Sequence, residues 1–285
     1  MSYKSDLEGK LNAARQSAEE KVALSLAQRV FSRGWVRKTL IVCALAVIWQ
    51  IYAVILDNEL IFPTLSAVMI GFWQSIASGE LGAKVALSLV MLLSAYGCGI
   101  LIALTLTIAA ITTKVGTDLL ETLTAMLNPL APIALLPMAL LWFGLGAPSI
   151  IFVICHAVIW PIALNTYNGF TSVSQTLRMV GRNYGLSGFG FVFKVLIPAA
   201  FGGILTGLKV SWAFGWRTLI AAELVFGVAG GGGGLGWFIY EKRQQLDIDL
   251  TFAGLLTVIL IGILVENVIF KTIEKRTVIR WGIKN

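Results

Sequence analysis

The sequence predicts an all-α fold, a polytopic membrane helical bundle of about six transmembrane helices, and three observations carry that prediction. Hydrophobic residues make up 57% of the 285 and charged residues 13%, with a mean hydropathy of +0.84. Apolar runs of about 20 residues, the length that crosses a bilayer as a helix, recur along the chain. The 22 Lys and Arg gather at the ends of those runs. Length alone would suggest one or two soluble domains, but recurring spans replace that expectation with a single bundle. The net charge of +7 therefore reports membrane orientation and not nucleic-acid binding.

Residues 1–38 read as a cytoplasmic amphipathic N-terminal segment. Ser5 and Glu8 form a capping-box pattern, and Leu7, Leu11, Ala14, Ala18 and Val22 recur at helical spacing, so residues 5–30 form a helix. It is too charged to span and lies on lipid headgroups. Nothing in this segment has the pattern of a cleaved signal peptide, so the first span is expected to remain in the mature protein.

Residues 39–285 form the transmembrane domain, with spans over 39–56, 85–112, 118–143, 147–168, 200–226 and 250–270. The second run is longer than a bilayer needs, which implies tilt or extension beyond the lipid. Pro129, Pro132 and Pro137 kink the third or break it into two short helices. Between spans one and two, Pro63 precedes Val68, Phe72 and Ile76 at helical spacing, an interfacial helix. The glycine run 230–234, followed by Leu235, Gly236 and Trp237, reads as a flexible outer hinge. A phosphate cradle would need a strand, a Lys-Ser or Lys-Thr ending and a helix, none of which is present. Cys43, Cys98 and Cys155 fall inside apolar runs and behave as small hydrophobes.

An even number of spans places both termini on one side, and basic residues place that side in the cytoplasm. Eight of them (Lys4, Lys10, Arg15, Lys21, Arg29, Arg33, Arg37, Lys38) precede the first run, and five (Lys271, Lys275, Arg276, Arg280, Lys284) follow or close the last. The loops agree: 57–81 carries Asp57, Glu59 and Glu80 without a cation, as an outer loop should, and 144–149 is uncharged. The turn 113–117 carries Lys114, and 171–199 carries Arg178, Arg182 and Lys194 without an acid, so both face inward. Lys242 and Arg243 in the last outer loop are the exception, offset by Glu241, Asp247 and Asp249.

The inward segment 171–199 is far longer than the roughly 2–8 residues that join helices in a bundle, so it must fold into something. Gly181, Gly185, Gly188 and Gly190 interrupt helix continuity, while Phe189, Phe191 and Phe193 offer an apolar surface. Pro198 restricts the residue before it as the next span begins. The expected product is a pair of short helices lying across the membrane face.

These residues carry a resemblance. The segment is similar to the cytoplasmic coupling loop of importer-type ABC transporter permeases, whose motif runs Glu-Ala-Ala, three residues, Gly, nine residues, Ile-x-Leu-Pro. Here Gly185 is followed after nine residues by Val195, Leu196, Ile197 and Pro198, while Met179, Val180 and Gly181 stand in place of Glu-Ala-Ala. The stretches PLAPIALLPMALLWFGLGAPS (129–149), GWRTLIAAEL (215–224) and GGLGWFIYE (233–241) resemble the branch that imports nitrate, sulfonates and taurine. The resemblance covers the chain from about residue 60 to its end and does not include the first 35 residues.

The resemblance implies the type I ABC importer permease fold in the plasma (inner) membrane of a prokaryote. It implies a homodimer of permease chains, two cytoplasmic ATPase subunits that hold ATP and Mg, and a periplasmic or extracellular solute-binding protein. This chain would bind no cofactor itself. Arg182, Asn183, Tyr184, Gly185, Leu186 and Phe189, with Pro198 at the end of the loop, would form the coupling surface against the ATPase, where aromatic and Arg side chains are typical anchors.

Ionised side chains inside lipid cost about 2.5–3.5 kcal/mol on insertion scales, so each needs a partner or a purpose. Arg217 and Glu223, with Trp216 beside them, are candidate pathway or intramembrane groups in span five. Their spacing of six is poor for contact on one helix, so Arg217 pairs across the two-chain interface, meets backbone carbonyls or attracts an anionic solute. Lys209 and Glu266 lie at matching depth on antiparallel spans and read as a structural ion pair. His156, the one histidine, reads as a helix-packing hydrogen-bonder, and no metal is expected.

No phosphate-binding loop, His-Glu-x-x-His, Gly-x-Ser-x-Gly or clustered intramembrane carboxylates are present, so the chain is expected to catalyse nothing alone. A passive membrane subunit biased by a partner's ATP binding fits best. A secondary anion transporter driven by an ion gradient is the alternative, although such proteins pair repeats and place ionisable relays at mid-membrane. A membrane-embedded enzyme would need a convergent polar constellation. Uptake without ATP would separate the first two, and substitution of His156, Arg217 and Glu223 would test the third.

Overall fold

The computed structural model describes residues 34–226 and 233–279, and every regular element among them is helical. The surface helix expected over residues 5–30 and residues 227–232, which hold the start of the glycine run, lie outside the described residues. The described chain divides into two compact units. The first contains α1 (Gly34–Leu56), of which only Ala53 is buried. Its exposed face is built from Ile41, Val42, Leu45, Ile48 and Ile55, the all-apolar surface a helix presents to hydrocarbon.

The helix expected after Pro63 is α2 (Leu65–Ala77), which belongs to the second unit from Ala67 onward. Its buried stripe is Val68, Gly71 and Ser75, with Phe72 half-buried and Ile76 outside it, because Gly71 is where the start of the last span comes close. A Cβ on Gly71 would stand 2.9 Å from the Leu250 side chain. The spans then follow as α3 (Glu80–Thr112), α4 (Lys114–Leu127), α5 (Pro132–Phe143), α6 (Ala147–Thr171), α9 (Phe201–Phe226) and α11 (Ile248–Thr277). Between them lie α7 (Gln175–Asn183), α8 (Gly188–Ala199) and α10 (Leu235–Gln244).

Three differences from the expected spans have physical causes. α3 starts five residues earlier than the sequence suggested, at Glu80, because Gly79 sits in the left-handed region (φ 78°) and sets the helix start there. The third span is broken as the prolines predict: α4 and α5 meet at 86° just before Pro132. α11 runs seven residues deeper than 270, to Thr277, which moves its acidic residues relative to α9.

α6 is the centre of the bundle. In its most apolar 18-residue stretch 61% of residues are buried, against 28% in α3 and in α11, so neighbours surround it on most sides. α9 packs on one flank through Gly203, Gly207, Ser211 and Gly215, four residues apart. A Cβ on Gly207 would meet the Asn165 side chain at 3.0 Å and the Pro161 carbonyl at 3.2 Å, so small residues are what allow the backbones to approach. α3 packs on another flank, where Gly99 meets Val158. The Tyr96 hydroxyl donates to the Leu208 carbonyl at 2.6 Å, fastening α3 to α9.

Candidate functional site

Three structured places hold the polar and exposed residues that packing alone does not explain: the elbow formed by α7 and α8, an open trench along α9, and a buried latch where α10 begins.

The elbow is built by local rules. Ser174 accepts the Leu177 N–H at 3.4 Å and starts α7, and Gly185, at φ 73°, ends it. The Gly185 N–H bonds to Arg182 O at 2.9 Å and the Leu186 N–H reaches back to Gly181 O at 3.1 Å, the paired bonds of a left-handed glycine cap. A side chain would strain that conformation, so glycine suits position 185. Gly188, at φ 52°, starts α8. Gly181 and Gly190 correct the sequence expectation, since neither interrupts a helix. Gly181 lies inside α7, where a Cβ would stand 2.9 Å from the Phe191 ring and 3.0 Å from Val195, so its role is to let α7 and α8 touch.

Pro198 has no N–H to offer the turn before it, and the chain from Val192 to Leu196 widens there into a π turn. α8 then bends 76° into α9. Phe170, Val173, Val192, Leu196, Ala200 and Ile204 form a separate core beneath the elbow. Arg178 fastens α7 to the end of α6, donating from Nη2 to Phe170 O at 2.5 Å and from Nε to Val173 O at 3.1 Å. Sequence reading saw Arg178 only as an orientation charge.

What the elbow leaves outside is a tip. Tyr184 is 83% exposed, Phe189 69% and Phe193 59%, with Arg182 and Asn183 also exposed and Leu186 half-buried. Pro198 stands apart from them at the joint with α9, and Phe191 turns inward toward Gly181.

The trench follows the exposed stripe of α9: Thr206, Val210, Ala213 and Arg217. Two cavities of about 680 and 430 Å3 share Thr206 and Lys209, so they meet along this helix. Asn165 and Asn168 of α6 line the larger, and Glu266 of α11 lines the smaller together with Arg217. Lys209 meets Glu274 at 3.8 Å, which corrects the expected pair with Glu266: α11 continues past 270 and carries Glu274 to the lysine instead. Trp216 is buried and donates from Nε1 to Val258 O at 3.3 Å, tying α9 to α11.

Glu223 does not face the trench. It is fully buried, and its carboxyl oxygens lie 2.7 and 2.9 Å from the Ser88 hydroxyl. It also accepts the Gly236 N–H at 2.7 Å, while the Leu235 N–H donates to Ser88 Oγ at 2.8 Å. Two otherwise unpaired N–H groups at the start of α10 are thereby satisfied by a buried acid and a hydroxyl. Gly233 and Gly234, the described end of the expected hinge, are buried; a Cβ on Gly234 would collide with the Glu223 carboxyl and the Ser88 hydroxyl. Lys242 bonds to Glu80 at 3.3 Å and Lys84 to Glu241 at 3.9 Å, so Lys242, one of the two out-of-place cations of the last loop, is neutralised by α3. Ser88 and Lys84 were not singled out from sequence, because their partners lie more than a hundred residues away.

His156 accepts from Trp160 Nε1 at 3.3 Å, a bond within α6 and not between helices. Among the described residues no three of His, Cys, Asp and Glu come together.

Comparison with known proteins follows the same residues. The family model described as binding-protein-dependent transport system inner membrane component matches residues 95–278, from the second half of α3 to the end of α11. An ABC transporter permease protein of Methanocaldococcus jannaschii is 31% identical over 225 residues, covering 78% of this chain and 83% of that one. The nitrate import permease protein of Synechocystis is 29% identical, covering 84% of this chain and 88% of the relative. The taurine transport system permease protein of Escherichia coli is 29% identical, covering 78% and 81%.

Proposed function

The chain belongs to the family of binding-protein-dependent transport system inner membrane components, and from that premise we propose how its parts divide the work of import. It is a multi-pass inner-membrane permease of the nitrate, sulfonate and taurine type. Two copies form the pathway for a small anion that an external binding protein delivers, and ATP and Mg are held by two separate ATPase subunits on the cytoplasmic side. Both termini and the elbow face that side, in keeping with Arg178, Arg182 and Lys194 and the absence of acids in the segment.

One observation carries the reading. The elbow presents Tyr184 and Phe189 to the outside while its own core and the Arg178 bonds fix it to α6 and α9. Exposed aromatic anchors on a firmly held base suit a surface that must receive force. A push on the tip moves α8, and the joint at Pro198 passes the motion into α9, which packs on the central helix. At its far end the Glu223 latch ties α9 to α10 and α3, so a rigid-body tilt of α9 reaches the outer face.

The experiment is uptake in proteoliposomes. With the ATPase subunits and the binding protein present, accumulation of a labelled sulfonate or nitrate is expected to require ATP. Accumulation driven by an ion gradient in vesicles lacking ATP and the ATPase would instead identify a secondary transporter.

A further inference from the structure

The trench along α9 cannot face lipid. Asn165, Asn168, Lys209, Arg217 and Glu266 open into it from three helices, all inside the expected spans, with Glu274 just past the end of the last, whereas the exposed face of α1 is Ile, Val and Leu. Polar and ionised groups at that depth lie against protein or water.

Within the trench Arg217 is held in an unusual way. Its Nε donates to the Ala213 carbonyl at 2.9 Å, one turn back on its own helix, and its Cζ stands 4.9 Å from the centre of the Phe214 ring. One edge of the guanidinium is thus spent on the backbone and one face on an aromatic ring. Among the described residues no carboxylate lies within 4.0 Å of it, so the two Nη groups remain free. A planar fork with fixed orientation and two unspent nitrogens matches the oxygens of a sulfonate, nitrate or carboxylate. The other charged groups facing this stretch are Lys209, already paired with Glu274, and Glu266 across the same cavity.

Resting on the transport reading above, we propose that Arg217 is an anion-binding point on the water-filled path, taking a small monovalent oxyanion on its Nη groups. Ala213 and Val210, on the same exposed stripe, border the space that the anion crosses.

The test uses the assembled complex in membranes, with Cys43, Cys98 and Cys155 replaced by alanine and a single cysteine introduced as Ala213→Cys or, separately, Val210→Cys. The probes are two thiol reagents of similar size, one a sulfonate and one a trimethylammonium, with rates normalised to a free thiol. The sulfonate is expected to react about tenfold faster at position 213, one turn from the charge, and about fourfold faster at position 210, two turns away. Arg217→Gln should bring the ratio near one, Arg217→Glu should invert it, and Arg217→Lys should preserve it. Three results would overturn the proposal. Thiols at both positions that react with neither reagent would mean the stripe is covered. A preference unchanged by Arg217→Gln would place the field elsewhere. A ratio near one that rises only with Glu266→Gln would assign Arg217 to a charge pair with Glu266. Because the assay reads local charge and not uptake, its failure alongside intact ATP-driven import removes this site alone.

Discussion

Replacing Glu223 by alanine is expected to destabilise the protein by about 2–6 kcal/mol, at about 1–3 kcal/mol for each of two buried neutral groups left without a partner. The substitution strips the Ser88 hydroxyl and the Gly236 N–H of their acceptor in a site where both Ser88 and Glu223 are sealed from solvent. The start of α10 then loses its hold on α9, which the two half-buried ion pairs between α10 and α3 do not make, since neither touches α9. Glu223→Gln keeps one acceptor oxygen and should cost less, about 1–2 kcal/mol. Thermal unfolding in lipid nanodiscs would give the order wild type, Gln, Ala. Hydrogen exchange would locate the change, with the amides of Leu235 and Gly236 losing protection first. Unchanged exchange at those two amides in the alanine variant would show that the latch contributes nothing.

The double substitution Tyr184→Asp with Phe189→Asp is expected to lower ATP-dependent uptake by about thirtyfold or more, the effect of losing interface anchors of about 2 kcal/mol. Folding should survive, since both side chains project from the elbow and neither belongs to the core beneath it. Amount and thermal midpoint of the variant are the controls, and co-purification of the ATPase subunit is the second readout. Loss of uptake together with loss of co-purification supports coupling through the tip. Full uptake by a variant carrying two carboxylates there would remove the elbow from the mechanism.

The elements most legible in the sequence were those set by local chemistry. Three prolines between 129 and 137 announce the break between α4 and α5, and Gly185 followed by Pro198 marks the turn and the joint of the elbow. Contacts between distant segments were not legible. Glu223 reads as an isolated intramembrane charge because its partner Ser88 is an ordinary serine in an apolar run, 135 residues earlier. Lys209 and Glu266 do line one cavity, as their matching depth suggested, but the continuation of α11 to Thr277 offers the lysine Glu274 as its ion-pair partner. Gly181 looks like a helix breaker by composition, yet close packing against Phe191 is what asks for it. In each case the neighbour supplied by another helix decided the role.

The most direct measurement of force transfer through the elbow is photo-crosslinking from position 184. With a photoreactive amino acid in place of Tyr184 and the whole importer assembled in membranes, illumination should give an adduct with the ATPase subunit whose yield changes between nucleotide-free and ATP-bound states. An adduct formed only with the external binding protein, or none with the ATPase in any nucleotide state, would contradict the account.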